Sequence, residues 1–281
     1  MPGIAIAIAL LATIAAVPAR ELRDTGPTKV YPLPEGGRVS RGAYRNEYFG
    51  LVYPLPTDWV EDVQGPPPST TGYYALAAFK PRDSLAATIW IAAQDNFFTT
   101  RQVDSAADFL EQMKRQLVPA LSTKSPPQIR VAGQSFARLD YAAAGLHHVV
   151  LATEIRCHTV VFSLTSASMA QIEKLLASLD RITFSSKTSR RQVCVPEYAT
   201  GEHMIHRVEP AAAGPRFSSI PVRIIIDAKG VVKHVHPIGG LPEQAESVRE
   251  ALVQWRFKPY LLNGKPVAIE TGLIVQFSRD Q

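Results

Sequence analysis

The sequence predicts an α+β protein of two small domains: an antiparallel sheet with covering helices, then a ββαβ unit. Three observations predict it. Apolar residues alternate with period two over much of the chain, as in Val222, Ile224 and Ile226. The period changes to three and four in only three stretches, near Ala106–Leu117, Met169–Leu179 and Leu241–Trp255. The order is strands, helix, strands, helix, a polar break, then two strands, helix and strand, which is α+β order and not an alternating βα chain. With 281 residues, 46% hydrophobic and 20% charged, the composition excludes a disordered tail and a multi-span membrane protein, and the length allows about two domains.

Ile4 to Val17 is an apolar run in which Thr13 is the only polar side chain. It is shorter than the ~20 residues of a membrane span, and Ala15, Val17 and Ala19 form an A-x-A-like site before Arg20. Residues 1–19 therefore read as a signal peptide and the protein as periplasmic or secreted. Arg20 and Arg23 lie beyond the run, so the alternative is an uncleaved inner-membrane anchor. Residues 20–40, with Pro27, Pro32, Pro34, Gly26, Gly36 and Gly37, read as a linker.

The first domain spans 41–185. Strands are expected from Tyr44 to Tyr53, at Tyr73–Phe79 and at Ala87–Ala93. A helix follows Ser105, which with Asp108 makes a capping-box-like start, and it runs through Phe109, Leu110, Met113 and Leu117. Ile129–Tyr141, Val149–Ile155 and Thr159–Thr165 read as strands, the last two as a hairpin across Arg156-Cys157-His158. Ser166 or Ser168 caps a second helix with Met169, Ile172, Leu176 and Leu179 as its stripe, and Ile182–Phe184 closes the unit.

Residues 186–199 read as a basic linker. The net charge is +5, and Lys187, Arg190 and Arg191 stand here with no acidic residue from 186 to 194. The excess is a linker and not a basic face, so no nucleic-acid partner is expected. In the last domain, 200–281, Asp227-Ala228-Lys229-Gly230 reads as a four-residue hairpin loop, Pro242 opens a helix, and Leu241, Ala245, Val248, Leu252 and Trp255 make its stripe. The final strand puts Ile269, Thr271, Leu273, Val275 and Phe277 on one face and Ala268, Glu270, Gly272 and Gln276 on the other.

No catalytic constellation emerges, and no enzyme activity, cofactor or metal is expected. Gly133-Gln134-Ser135-Phe136-Ala137 lacks the last Gly of a nucleophile elbow and continues as strand. Gly264-Lys265-Pro266 reads as a turn and not a phosphate loop. The alternative with most substance is a His-rich periplasmic metal-binding protein or enzyme, with His203 and His206 on a helical face and His234 and His236 on one strand face. A third reading is a structural envelope protein. Cys157 and Cys194 are the only cysteines, and export to an oxidising compartment favours a bridge between them over two buried thiols.

Trp255-Arg256-Phe257-Lys258-Pro259, Asn263-Gly264-Lys265-Pro266-Val267 and the strand to Phe277 resemble the C-terminal domain of the TonB family of energy transducers, over roughly residues 200–280. The resemblance implies a non-enzymatic module that grips an extended segment of an envelope or outer-membrane receptor, in TonB-dependent transport. The chain departs from that family in having no long Glu-Pro/Lys-Pro-rich spacer. Tyr44-Arg45-Asn46-Glu47-Tyr48-Phe49-Gly50-Leu51, with Pro54, Pro56 and Trp59, is similar to the opening of PsbP-like domains, which implies a small binding fold over about 40–185.

A small sheet leaves edges that take up an extended chain by main-chain pairing. The final strand is the candidate edge, with Glu270, Gly272, Ile274 and Gln276 as partner-binding residues and Leu273 or Ile274 as the position where Pro should abolish capture. The alternatives are that this edge pairs with itself in a homodimer or is covered by Gly201–Arg207.

Overall fold

Tight turns set the architecture. The structure, a computed structural model, describes residues 31–63, 68–84, 86–99, 101, 103–117, 128–185, 193–211 and 219–277. The leader, most of the 20–40 linker and Lys187, Arg190 and Arg191 lie outside these residues.

The chain opens with β1 (Arg38–Ser40), β2 (Ala43–Asn46) and β3 (Leu51–Pro54), then β4 (Trp59–Val63), β5 (Tyr73–Pro81) and β6 (Ala87–Asp95). Helix α1 (Ala106–Gln116) is followed by β7 (Gln128–Val131), β8 (Gln134–Ala143), β9 (Leu146–Ile155) and β10 (His158–Ser166), then α2 (Met169–Leu179) and β11 (Thr183–Phe184). Seven strands form an antiparallel sheet in the order β4-β5-β6-β10-β9-β8-β7, and β1-β2-β3-β11 form a smaller one. The run expected from Ile129 to Tyr141 is two strands, because Ala132 and Gly133 both take positive φ, 50° and 80°, and turn the chain back.

The period of two decides the layers. Val149, Leu151, Val160 and Phe162 face one way, onto Ile172, Leu175 and Leu179 of α2 and the aromatic residues of the small sheet. Val150, Ala152 and Val161 face the other way, onto Ala106 and Leu110 of α1. The Ser105 hydroxyl accepts from the Asp108 N–H at 3.1 Å, and the Ser168 hydroxyl from the Gln171 N–H at 3.4 Å. Met169, expected on the α2 stripe, is 44% exposed. It is the first residue of α2, and Leu175 joins Ile172 and Leu179 in the core.

The rest of the chain builds a second core. β12 (Val193–Cys194) leads to a 3₁₀ turn (Gly201–His203) and β13 (Met204–His206), then β14 (Ser219–Ile226), β15 (Val232–Pro237), α3 (Pro242–Leu252), β16 (Arg256–Phe257), β17 (Leu261–Leu262), β18 (Lys265–Pro266) and β19 (Ile269–Gln276). The sheet order is β12-β19-β14-β15. Val222, Ile224, Ile226 and Ile269 bury against Val248, Leu252 and Trp255, and the Trp255 indole donates to the Val208 carbonyl at 2.7 Å.

The 227–230 loop forms as expected. The Asp227 carboxylate accepts from the N–H groups of Lys229 and Val231 at 2.8 and 3.0 Å, and Gly230 takes φ 80°. A Cβ on Gly230 would collide with the Phe257 carbonyl, whose own N–H donates to the Gly230 carbonyl at 2.8 Å. Gly230→Ala is therefore expected to cost at least about 1–2 kcal/mol for the left-handed conformation alone, read as a lower urea midpoint with unchanged slope.

Both cores belong to one compact unit spanning Tyr31–Gln281. The α+β class stands. No helix among the described residues is long and apolar enough to cross a membrane.

Candidate functional site

β19 is flanked by β14 along its full length, with Ile269 opposite Ile226 and Gln276 opposite Ser219. On its other side lies only β12, parallel, with Val193 opposite Ile269 and Cys194 opposite Glu270. The Val193 and Val195 N–H groups donate to the Ala268 and Glu270 carbonyls at 3.4 and 3.0 Å. Backbone groups alternate along a strand, so the N–H and C=O of Gly272, Ile274 and Gln276 point to this same outer side, while Thr271, Leu273 and Val275 point to β14. Pro221 supports the phase: it sits opposite Ile274, where no N–H is needed, and its carbonyl accepts from Ile238 at 2.8 Å on the side of β15. The next N–H that could face β19 is that of Glu197, but Glu197 takes φ 58° and its carbonyl accepts from the Thr200 N–H at 3.1 Å, so the chain turns away and the ladder stops at Val195. Among the described residues no strand covers the edge from Gly272 to Gln276.

The edge differs from its sequence-based expectation at four places. Glu270 is 0% exposed and its edge is taken by β12, so it is not on an open face. Gly272 is open through its backbone only: a Cβ there would lie 2.6 Å from Phe97 Cβ and 2.9 Å from Phe98 Cζ. Leu273 bonds inward to β14, so Pro at 273 would break the sheet and not test the edge. Gly201–Arg207 does not cover β19, because Met204 and His206 pair with β16 instead. Ile274, 59% exposed, and Gln276 are solvent-facing as expected.

What covers the inner half of β19 is a buried charge cluster that the sequence reading missed. Arg223, in the middle of β14, is 3% exposed. It donates to the carboxylates of Asp95 and Glu270, each at 2.5 Å, and to the Arg156 carbonyl at 2.9 Å. Its guanidinium lies over the Phe97 ring at 4.8 Å. Arg156 donates to Glu270 Oε1 and to the Tyr48 carbonyl, both at 3.1 Å. Burial pushes the Glu270 carboxyl up, but the Arg223 and Arg156 guanidiniums outweigh it and hold the group below its usual range. Burial also pulls at the Arg223 guanidinium, and Asp95 and Glu270 more than restore it, so it stays charged.

His158 sits against this cluster, ringed by Tyr48, Phe49 and Tyr74. Its Nδ1 lies 2.8 Å from the Arg156 carbonyl, which fixes that nitrogen as the donor. Burial first, and then Arg223, hold His158 well below its ordinary value, although Nε2 is 3.6 Å from Asp95. Asp95 is already neutralised by the much closer Arg223.

Five two-residue hairpin turns among the described residues have positive φ at both positions. Four end in glycine: Arg41-Gly42, Ala132-Gly133, Ala144-Gly145 and Asn263-Gly264. The fifth is Arg156-Cys157, at φ 51° and 61°. Such turns favour glycine there because a Cβ is disfavoured. Here Cys157 bridges to Cys194, Cα atoms 5.7 Å apart. The bridge ties the β9–β10 turn to β12, as the reading of a bridge at the domain boundary expected.

The histidines do not gather. His203 ends the 3₁₀ turn and stacks on Tyr198 at 4.3 Å, whereas His206 lies in β13, because the helical stretch is only three residues long. His234 and His236 share a face of β15, with Tyr31 against the first at 4.8 Å and Glu35 3.4 Å from the second. No group of three His, Cys, Asp or Glu among the described residues is placed to hold a metal ion. Ser135 lies within the β7–β8 ladder opposite Arg130, not on a strand-to-helix turn.

The chain matches no protein-family model and no curated protein. Among solved structures it is similar to the solution structure of cyanobacterial PsbP (CyanoP) from Synechocystis sp. PCC 6803, with 16% identity, a TM-score of 0.38, and coverage of 51% of this chain and 91% of that one.

Proposed function

We propose that this is an exported, non-enzymatic protein-binding module that captures an extended segment of an envelope or outer-membrane protein by adding it as a strand beside β19. The observation that carries the reading is the outward backbone of Gly272, Ile274 and Gln276, beyond the point where the turn at Glu197 takes the chain off β19. Main-chain pairing provides affinity with little sequence demand, and the exposed Ile274 provides an apolar contact on one face. The likeness of 255–277 to the TonB C-terminal domain and the apolar leader support the same reading, with a role in TonB-dependent transport as its physiological setting. The PsbP-like half serves as the scaffold against which β19 is fixed.

Proline distinguishes the two sides of the strand. Ile274→Pro removes one outward N–H and is expected to leave the fold intact, since Pro is tolerated on strand edges. A photo-crosslinking residue at Gln276 should trap an envelope protein through an extended segment in the native chain, and that crosslink should fall at least tenfold in Ile274→Pro. Equal crosslinking by a folded Ile274→Pro chain contradicts strand addition at this edge.

A further inference from the structure

We propose that the Cys157–Cys194 disulfide is a redox latch that sets the length of the strand-addition edge. This inference rests on the binding reading above. Three observations converge on it. β12 occupies only Ile269 and Glu270 of β19, so it works as a short internal strand seated where a partner strand would begin. The turn at Glu197, φ 58°, stops it on one side, so its hold on the edge comes from a two-residue ladder and the bridge. The bridge requires a cysteine at the turn position where the four sister turns carry glycine, which marks Cys157 as placed for the link and not for the turn.

The chemistry needs a dithiol reductant. Cys194 is the exposed partner and Cys157 is buried. A reductant thiolate attacks the Cys194 sulfur, forming a mixed disulfide while the S–S bond breaks and Cys157 leaves as a thiolate. That thiolate, its sulfur 4.0 Å from the Glu270 carboxylate, takes up a proton. The second reductant thiol then attacks the mixed disulfide and releases Cys194. Two electrons and two protons reach the protein, and the reductant becomes a disulfide. With Cys194 released, β12 leaves β19, and the open edge grows from Gly272–Gln276 to Glu270–Gln276. Arg223 continues to hold Glu270 and Asp95, so the two halves stay together while the edge lengthens.

Amide hydrogen exchange on the full chain tests this without a partner, before and after dithiothreitol, with thiol titration to verify reduction. The Glu270 and Val195 amides, which face the β12–β19 ladder, are expected to exchange at least tenfold faster after reduction and in a Cys157→Ala/Cys194→Ala chain. The Thr271 and Leu273 amides, which face β14, are expected to keep their protection. Unchanged protection of Glu270 and Val195 overturns the latch. So does loss of protection throughout β19, since the bridge would then hold the sheet and not its edge. Opening of the edge with no crosslinking at Gln276 in either redox state would count against the binding reading and leave the latch standing.

Discussion

Arg223→Met is expected to lower the stability of the protein by about 3–5 kcal/mol, because it leaves Asp95 buried without its guanidinium and Glu270 with Arg156 alone. Asp95 and Glu270 each lie 2.5 Å from the Arg223 guanidinium and neither reaches solvent. Methionine keeps much of the apolar stem but removes the guanidinium over Phe97 and every donor it carries. For a body of this size that loss corresponds to a fall in Tm of roughly 10 °C. Adding Asp95→Asn should recover part of it, since one uncompensated charge disappears, and the two changes will not add. A fall of less than about 1 kcal/mol in urea unfolding would show that the cluster is not what joins the β6 side of the molecule to β14 and β19.

Acid is expected to destabilise the protein well before its carboxylates titrate. Burial holds His158 well below the ordinary histidine value, and burial with His234 nearby brings His236 down to about 3. Both rings are neutral in the folded chain, while the unfolded chain takes up protons near pH 6.5. Their contribution is full above that value and is lost progressively as pH falls below it, at about 1.4 kcal/mol for each unit of depression. Glu270 adds a second loss at lower pH, complete only once pH passes its depressed folded value. Urea midpoints at pH 7.5, 6.0 and 5.0 should fall steadily in the native chain. His158→Phe, with its ring among Tyr48, Phe49 and Tyr74, should flatten that slope. Midpoints independent of pH between 7.5 and 5.0 would contradict neutral burial of these rings.

Much of the fold is legible in residue periodicity, because period two and period three to four report which side of an element meets a core. The stripes of α1 and α3, the alternation in β14 and β19, the Gly230 turn and the β9–β10 hairpin all follow from this. The β7–β8 break was missed because Ala132-Gly133 sits in a run that keeps its apolar phase on both sides. The site was half legible. Alternation placed Glu270, Gly272, Ile274 and Gln276 on one face, but it does not say what covers that face. The cover comes from Phe97 and Phe98 after β6, and from Arg156 and Cys157 between β9 and β10, all more than a hundred residues upstream. One signal was available. Arg223 stands inside Ser219–Ile226, a run apolar on both faces, and a lone charge in a strand buried on both sides calls for a buried counter-charge.

An open outer edge on β19 leaves a signature in the amide exchange of the oxidised, partner-free chain. Gly272, Ile274 and Gln276 should exchange rapidly, and Thr271, Leu273 and Val275 slowly, an alternation imposed by pairing to β14 alone. Uniform slow exchange from Thr271 to Gln276 would mean that another strand, from this chain or a second copy, already occupies the edge, and that β19 is not open to a partner.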